Sequence, residues 1–141
     1  MIGIDTNILV RIILNDSEKE SPQARMFLEE GLRSSGVFIA TGVLLEVAWV
    51  LKMKKFTRQR VHGLLSQFIA VPGIVLEQPE LIEKTLKIFQ AVKIDFGDCL
   101  IWTANQLHGV TQLQTFDQDF QMEIVSTINR ARHPHQEVDF S

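Results

Sequence analysis

One glutamate in this chain lies where a charged side chain is difficult to explain. Glu46 is the only charged residue between Ala40 and Leu51, in a largely apolar stretch that we expect to form a buried helix. Burying a carboxylate is costly unless it has a partner, binds a metal or becomes neutral. Glu46 therefore predicts either a binding site or an ion pair at the edge of the core, and the residue alone leaves both open.

Three aspartates lie where predicted strands end or predicted helices begin. Asp5 follows the apolar run 2–4, Asp98 opens an apolar helical segment, and Asp117 follows a run that we predict to be a strand. In open α/β sheets, ligands bind beyond the carboxyl ends of the strands. Each aspartate is also suited to a helix N-cap or an Asx turn. We expect the three to converge with Glu46 at one edge of the sheet.

Such a cluster of four carboxylates predicts a metal site. Carboxylates crowded together repel one another, and a divalent cation removes that repulsion. Oxygen ligands favour Mg²⁺ or Mn²⁺ over zinc, and these ions activate water and stabilise the leaving oxygen when a phosphodiester is hydrolysed. Two further acids lie close by. We expect Asp95 to be a helix cap or else an outer member of the cluster, whereas Asp119 competes with Asp117 for the fourth position.

A run of basic residues provides candidate contacts to a phosphate backbone. Five bases lie between positions 52 and 60 with no acid among them: Lys52, Lys54, Lys55, Arg58 and Arg60. Phe56 lies within the run and offers a face for stacking. We expect Arg11, on the first helix near Asp5, to be another phosphate contact. A run of this kind can also be a solvated loop, but next to a carboxylate site a phosphodiester needs cations to offset its charge.

Strand-like and helix-like segments alternate along the chain. The predicted strands are 2–4, 37–39, 74–76, 110–115 and 123–125. The predicted helices between them include one capped by Thr41, one capped by Thr57 and one over 96–108. Parallel strands need a crossover, which is usually a helix. The alternation therefore predicts an α/β fold with a central, mostly parallel sheet of four or five strands and helices on both faces.

Length and composition limit the organisation of the chain. With 141 residues, of which 45% are hydrophobic, we expect a single domain over 1–128 and a loosely packed C-terminal extension over 129–141. No apolar run approaches the ~20 residues of a membrane span, so we expect a soluble, cytoplasmic protein. The single cysteine, Cys99, is expected to be a buried hydrophobe. The net charge of −3 implies that any nucleic-acid binding is local.

Taken in order, these residues resemble a PIN-domain nuclease, and in particular a toxin of the VapC type. The resemblance covers about residues 1 to 125. Its matching segments are Ile2–Leu9, Leu45–Val47, Asp98–Ile101 followed by Ala104, and Thr115–Phe120. The chain departs from the family pattern at Gln112 and Gln114, which stand where hydrophobic residues are common.

The resemblance implies a three-layer α/β/α fold and an endoribonuclease that uses Mg²⁺ or Mn²⁺ to cut RNA. It also implies a homodimer that is inhibited by a small antitoxin whose tail enters the active-site groove. The acids that it assigns to both metal binding and catalysis are Asp5, Glu46, Asp98 and Asp117. Asn7 and Thr115 are the supporting polar residues.

Two other classes of function remain open. An α/β phosphotransfer module would use Asp5 as its nucleophile, but Asn7 stands where such phosphatases usually have a second aspartate. Glu46 would also have no role in that reaction. A non-catalytic, PIN-like binding module would retain the fold and bind no divalent metal.

Overall fold

The computed structural model describes residues 1–117, 122–127 and 129. Within residues 1–117 it contains three strands and six helices. The strands are β1 (Ile2–Gly3), β2 (Val37–Ile39) and β3 (Ile74–Leu76). The helices are α1 (Thr6–Leu14), α2 (Glu20–Arg33), α3 (Thr41–Met53), α4 (Arg58–Ile69), α5 (Pro79–Ala91) and α6 (Phe96–Leu107). Residues 122–127 are also helical.

The three strands form one parallel sheet in the order β1-β2-β3. Val37 at the centre is opposite Ile2 on one side and Ile74 on the other. Two helices connect each strand to the next, as parallel pairing requires. The predicted α/β class with a parallel sheet is confirmed. The carboxyl ends of all three strands lie at one edge, where β1 leads to Asp5, β2 to Thr41 and β3 to Glu77.

Helix α2 packs unusually close to the sheet at Gly31. A Cβ atom at this position would lie 2.4 Å from Cγ2 of Val37 and 2.7 Å from Cγ1 of Ile2. These distances are too short for non-bonded carbon atoms, so a side chain at position 31 would push the helix away from both strands. The glycine therefore sets the spacing between this helix and the β1-β2 pair.

Two of the predicted strands are not strands in the described residues. Residues 110–115 form no strand and are mostly exposed, and residues 123–125 lie in a helical segment with Ile124 fully buried. Because of Gln112 and Gln114, the segment 110–115 lacks the apolar side chains on both faces that a strand in a parallel sheet needs. The segment 123–125 is too short for the spacing of its apolar residues to distinguish a strand from a helix. Of the predicted extension over 129–141, only Asn129 is among the described residues.

The start of α3 is held by the end of β3. Thr41 is the first residue of the helix and not its cap, because Ala40 occupies the N-cap position without a side-chain hydrogen bond. The backbone N–H of Thr41 donates instead to Oε1 of Glu77 at 2.9 Å, and its hydroxyl donates to Oε1 of Gln78 at 2.8 Å. A carboxylate at a helix N-terminus also interacts favourably with the helix dipole. Thr57 caps α4 as predicted.

Cys99 belongs to the core. Its Sγ atom is fully buried and donates a weak hydrogen bond to the carbonyl of Ile94 at 3.7 Å. Burial raises the pKa of the Cys99 thiol to about 12, so the thiol is neutral at physiological pH. This agrees with the expectation of a buried hydrophobe and excludes a reactive thiolate in the folded state.

No helix among residues 1–117, 122–127 and 129 combines the length and the apolar character that crossing a membrane requires.

The raised pKa of Cys99 predicts how stability depends on pH. The pKa of the thiol is higher in the folded state than in the unfolded state. The buried neutral thiol therefore makes its full contribution to the free energy of unfolding below about pH 9, and this contribution is lost as pH rises towards 12. Above pH 9, the free energy of unfolding measured in urea should fall with pH more steeply for wild type than for Cys99→Ala, by up to about 1.4 kcal/mol per pH unit. Parallel curves for the two proteins would contradict this, as would rapid labelling of the native thiol at neutral pH.

Candidate functional site

Asp5 and Glu46 line the same cleft, which has a volume of about 370 Å³. Its other lining residues are Thr6, Asn7, Trp49 and Val50. Asp5 is the N-cap of α1, and its Oδ1 atom accepts a hydrogen bond from the N–H of Ile8 at 3.1 Å. The cap fixes the direction of this carboxylate at the edge of the sheet. Capping and ligand binding are therefore compatible, as expected from the sequence.

Thr6 connects the two acids. Its hydroxyl donates to Oε2 of Glu46 at 2.5 Å, a short hydrogen bond of the kind that a charged acceptor makes. Thr6 is the first residue of α1, so this bond joins the start of α1 to the middle of α3. Sequence reasoning did not assign Thr6 to the site. The available signal was a hydroxyl residue directly after Asp5.

Glu46 is exposed, and the prediction that it lies in a buried helix is wrong. Helix α3 buries one face through Leu44, Val47, Ala48 and Leu51. The opposite face carries Leu45, Trp49 and Met53, which are exposed although they are apolar. A helix that is apolar all round is normally buried all round. Here one apolar face forms the wall of a cleft, and Glu46 lies on that wall.

Asp98 lines a second cavity of about 490 Å³, together with Lys52, Lys93 and Asp95. It lies in the first turn of α6, where Gly97 approaches α3 closely. A Cβ atom at Gly97 would lie 3.2 Å from Cδ1 of Leu45. The close approach places the start of α6 beside the exposed face of α3.

Two residues of the second cavity differ from expectation or were not anticipated. Asp95 occupies the N-cap position of α6 but makes no side-chain capping bond, and its Oδ1 atom binds Nζ of Lys52 at 2.7 Å. The predicted capping role for Asp95 is therefore wrong. Trp49 lines both cavities, although the sequence analysis did not assign it to the site.

Asp117 lies apart from the lining of both cavities. It is exposed, and its backbone N–H donates to Oγ1 of Thr115 at 3.0 Å. Asp119 lies outside the described residues. Within the described ranges, no group of three or more His, Cys, Asp or Glu side chains is placed to hold a metal ion. The structure thus brings Asp5 and Glu46 together, while the full cluster of four remains a prediction.

The two acids of the first cleft fit a hard divalent cation by their chemistry. Mg²⁺ usually takes one or two carboxylates directly and keeps several waters, so two acids are sufficient. One oxygen of Asp5 and one of Glu46 accept hydrogen bonds from the chain, which fixes both carboxylates. Each has a second oxygen, which accepts no hydrogen bond from any residue that the structure describes.

Arg58 is partly buried, lines the second cavity and also binds the main chain around the end of α5. Its guanidinium donates to the carbonyls of Ile94 and Phe89 at 2.6 and 2.7 Å, and also to that of Val92. It lies 4.1 Å from the centroid of the Phe89 ring. Desolvation by burial lowers the pKa of Arg58. These bonds engage the guanidinium within the protein, and the predicted RNA contact of Arg58 stays a prediction.

Arg11 lies farther from Asp5 than predicted. It lies in the last turn of α1, whereas Asp5 caps the first turn, so the two residues are at opposite ends of the helix. Its guanidinium is paired with Asp16 at 3.2 Å and with Glu20 at 3.5 Å. Both ion pairs are partly exposed and therefore weak, so the predicted phosphate contact of Arg11 stays a prediction.

The other residues of the basic run remain available to a ligand. Lys52 is half exposed and pairs with Asp95. Lys54, Lys55 and Arg60 are exposed and make no ion pair with any residue in the described part of the chain. Lys55 has a φ of 65°, at the turn that separates α3 from α4. Of the six predicted bases, Lys52 and Arg58 line the second cavity, and Lys54, Lys55 and Arg60 are exposed to solvent.

Comparison with known families assigns the chain to a class. The PIN-domain profile matches residues 2–122, which is most of the chain. The protein therefore belongs to the PIN-domain family, whose members are typically metal-dependent nucleases and generally use divalent metal ions. A search of the curated proteins finds no match. The matched range includes Asp5, Glu46, Asp98 and Asp117.

Thr6→Val should weaken metal binding without unfolding the protein. The substitution removes the hydroxyl that orients Glu46, and loss of such an outer partner typically costs 10- to 100-fold in metal affinity. We expect the Kd for Mn²⁺, measured by calorimetry, to rise by about tenfold or more. Thr6→Ser keeps the hydroxyl and should retain the affinity. Equal affinities for the valine and serine variants would contradict this role.

Arg58→Met should destabilise the protein by about 2–4 kcal/mol, because it removes a charged donor from three carbonyls around the end of α5. Arg60→Met is the matched control, since Arg60 is exposed and its side chain makes no hydrogen bond to a described residue. Its effect should lie within about 0.5 kcal/mol. Urea unfolding measures both effects, and similar losses for the two variants would contradict the assignment.

Proposed function

We propose that the protein is an endoribonuclease that hydrolyses RNA phosphodiester bonds with Mg²⁺ or Mn²⁺. The observation that carries the proposal is the first cleft, in which Asp5 and Glu46 are both fixed and are joined through Thr6. Asp98 lines the second cavity, which shares the lining residue Trp49 with the first cleft. Membership of the PIN-domain family supports nuclease chemistry at this position.

In this proposal, Asp5 and Glu46 would contact the metal, while Asp98 and Asp117 would complete the acidic site. A bound divalent ion would supply an activated water and would polarise the phosphoryl oxygen. The chain itself orients the acids. The N–H of Ile8 holds Asp5 and the hydroxyl of Thr6 holds Glu46. Asn7 and Thr115 are the proposed supporting polar groups.

The same proposal assigns the RNA backbone to four exposed cations of the basic run, Lys52, Lys54, Lys55 and Arg60. Of these, Lys52 lines the second cavity. The net charge of the chain is −3, so attraction of a polyanion must depend on this local group and not on the overall field. The ion pair between Lys52 and Asp95 is exposed on both sides and therefore weak, so a phosphate can compete for Lys52.

We further propose the setting that the VapC resemblance implies. In this setting the chain is the toxin of a cytoplasmic toxin–antitoxin pair, acts as a homodimer, and is inhibited by a small antitoxin that occupies the active-site groove. Residues 1–128 would form the nuclease domain, which agrees with the match over 2–122. A gene for a short DNA-binding protein immediately upstream, whose product co-purifies with this chain, would support this setting. A monomer without such a neighbour would contradict it.

A non-catalytic PIN-like binding module is the second candidate. One observation favours it, since no three acidic side chains among residues 1–117, 122–127 and 129 are placed to hold a metal. Calorimetry distinguishes the two candidates. Binding of Mn²⁺ that is lost in Asp5→Asn supports the nuclease, and absence of Mn²⁺ binding by wild type supports the binding module.

Asp5→Asn and Asp98→Asn should each lower RNA cleavage in Mn²⁺ by about 100-fold or more, because each removes a charge that the site needs to hold a cation. Asparagine caps a helix as well as aspartate does, so Asp5→Asn should keep the fold. Circular dichroism and urea unfolding check that it does. Asp16→Asn changes an acid outside both cavities and is the control. Undiminished cleavage by Asp5→Asn or Asp98→Asn would refute the site.

A further inference from the structure

Trp49 is the most unusual exposed side chain of α3. Its exposed fraction is 62%, although tryptophan is normally largely buried. The other tryptophan of the chain, Trp102, is 7% exposed and belongs to the core. An indole that remains in water keeps one of its apolar faces free for a ligand, and aromatic groups in contact with both water and a cleft are common in binding sites.

The position of Trp49 relates it directly to the proposed chemistry. It lines the cleft that holds Asp5 and Glu46, and also the cavity that holds Asp98. Glu46 lies three residues before it, which is close to one turn along the same side of the helix. If a phosphate of a nucleic-acid strand lay at these acids, an adjacent nucleotide of the same strand would therefore lie beside the indole.

The second cavity, which Trp49 lines, carries more cations than acids. Its cations are Lys52, Arg58 and Lys93, and its acids are Asp95 and Asp98, the first of which is paired with Lys52. Phe56 lines the same cavity and adds another aromatic group. Cations that follow a backbone, combined with aromatic faces for bases, are the pattern of proteins that bind single-stranded nucleic acid.

We propose that the indole of Trp49 stacks on an unpaired base next to the scissile phosphate. The proposal rests on the proposed nuclease function and adds a residue of this chain that contacts a base of the substrate. Bases within an RNA duplex are stacked on their neighbours and offer no free face. An unpaired nucleotide in a loop or at an end can turn out and reach the indole.

The direct test measures binding in the Asp98→Asn background, in which cleavage is expected to be lost. A short single-stranded RNA should quench the fluorescence of Trp49, whereas the same strand annealed to its complement should not. Trp102 is buried and provides the constant part of the signal. Absence of quenching by the single strand, or equal quenching by the duplex, overturns the proposal.

Substitutions then separate stacking from mere apolar contact. Trp49→Phe should bind single-stranded RNA nearly as well as its parent, whereas Trp49→Leu should bind about five- to 150-fold more weakly. Met53→Leu is the matched control, because Met53 is 60% exposed on the same helix and lines neither cavity. It should bind like its parent. Equal binding by Trp49→Leu and Trp49→Phe overturns the stacking role.

Two further readouts distinguish this proposal from its alternatives. Sedimentation of wild type and Trp49→Leu should show the same oligomeric state, and loss of a dimer in the variant would mean that a second copy covers the indole, which overturns the proposal. Failure of wild type to cleave any RNA in Mn²⁺ refutes the nuclease function itself. Cleavage of single strands and duplexes at equal rates by wild type leaves that function intact and overturns only the role of Trp49.

Discussion

The candidate site depends on the packing of helix α3. Its buried face contributes Leu44, Val47 and Leu51 to the core, in contact with helices on several sides. Those contacts fix the rotation of the helix about its axis, and with it the direction of the opposite face. Glu46 is placed by this rotation and then held by the hydroxyl of Thr6. A core substitution that turned α3 would therefore misplace the acid without touching it.

The regular part of the fold could be predicted because its patterns are strong. The strands 37–39 and 74–76 and the helices around them follow apolar periods with clear turn residues, and the structure confirms them. The region after Gly109 could not be predicted. The segment 110–115 has the length of a strand, but glutamines flank its central leucine. Only tertiary contacts decide the conformation of such a segment.

The site was predictable in its residue types but only partly in its surroundings. Asp5 was placed correctly because the end of a parallel strand is determined by topology. The exposure of Glu46 was not predictable, since composition does not reveal whether an apolar helix face is covered by another element or forms the wall of a cleft. Charge was equally ambiguous. Arg58 and Lys54 look alike in the sequence, yet only Arg58 binds the carbonyls around the end of α5.

The cap that Glu77 provides to α3 has a consequence for how the site is arranged on the sheet. All three strands end at one edge, and β1 and β3 are each followed by an acid within two residues. Glu77 is engaged by the backbone of Thr41, so its charge is already matched by a helix end. Asp5 follows β1, one of the two outer strands of the described sheet. The acids that face a ligand therefore lie off-centre, and a linear substrate would cross this edge asymmetrically.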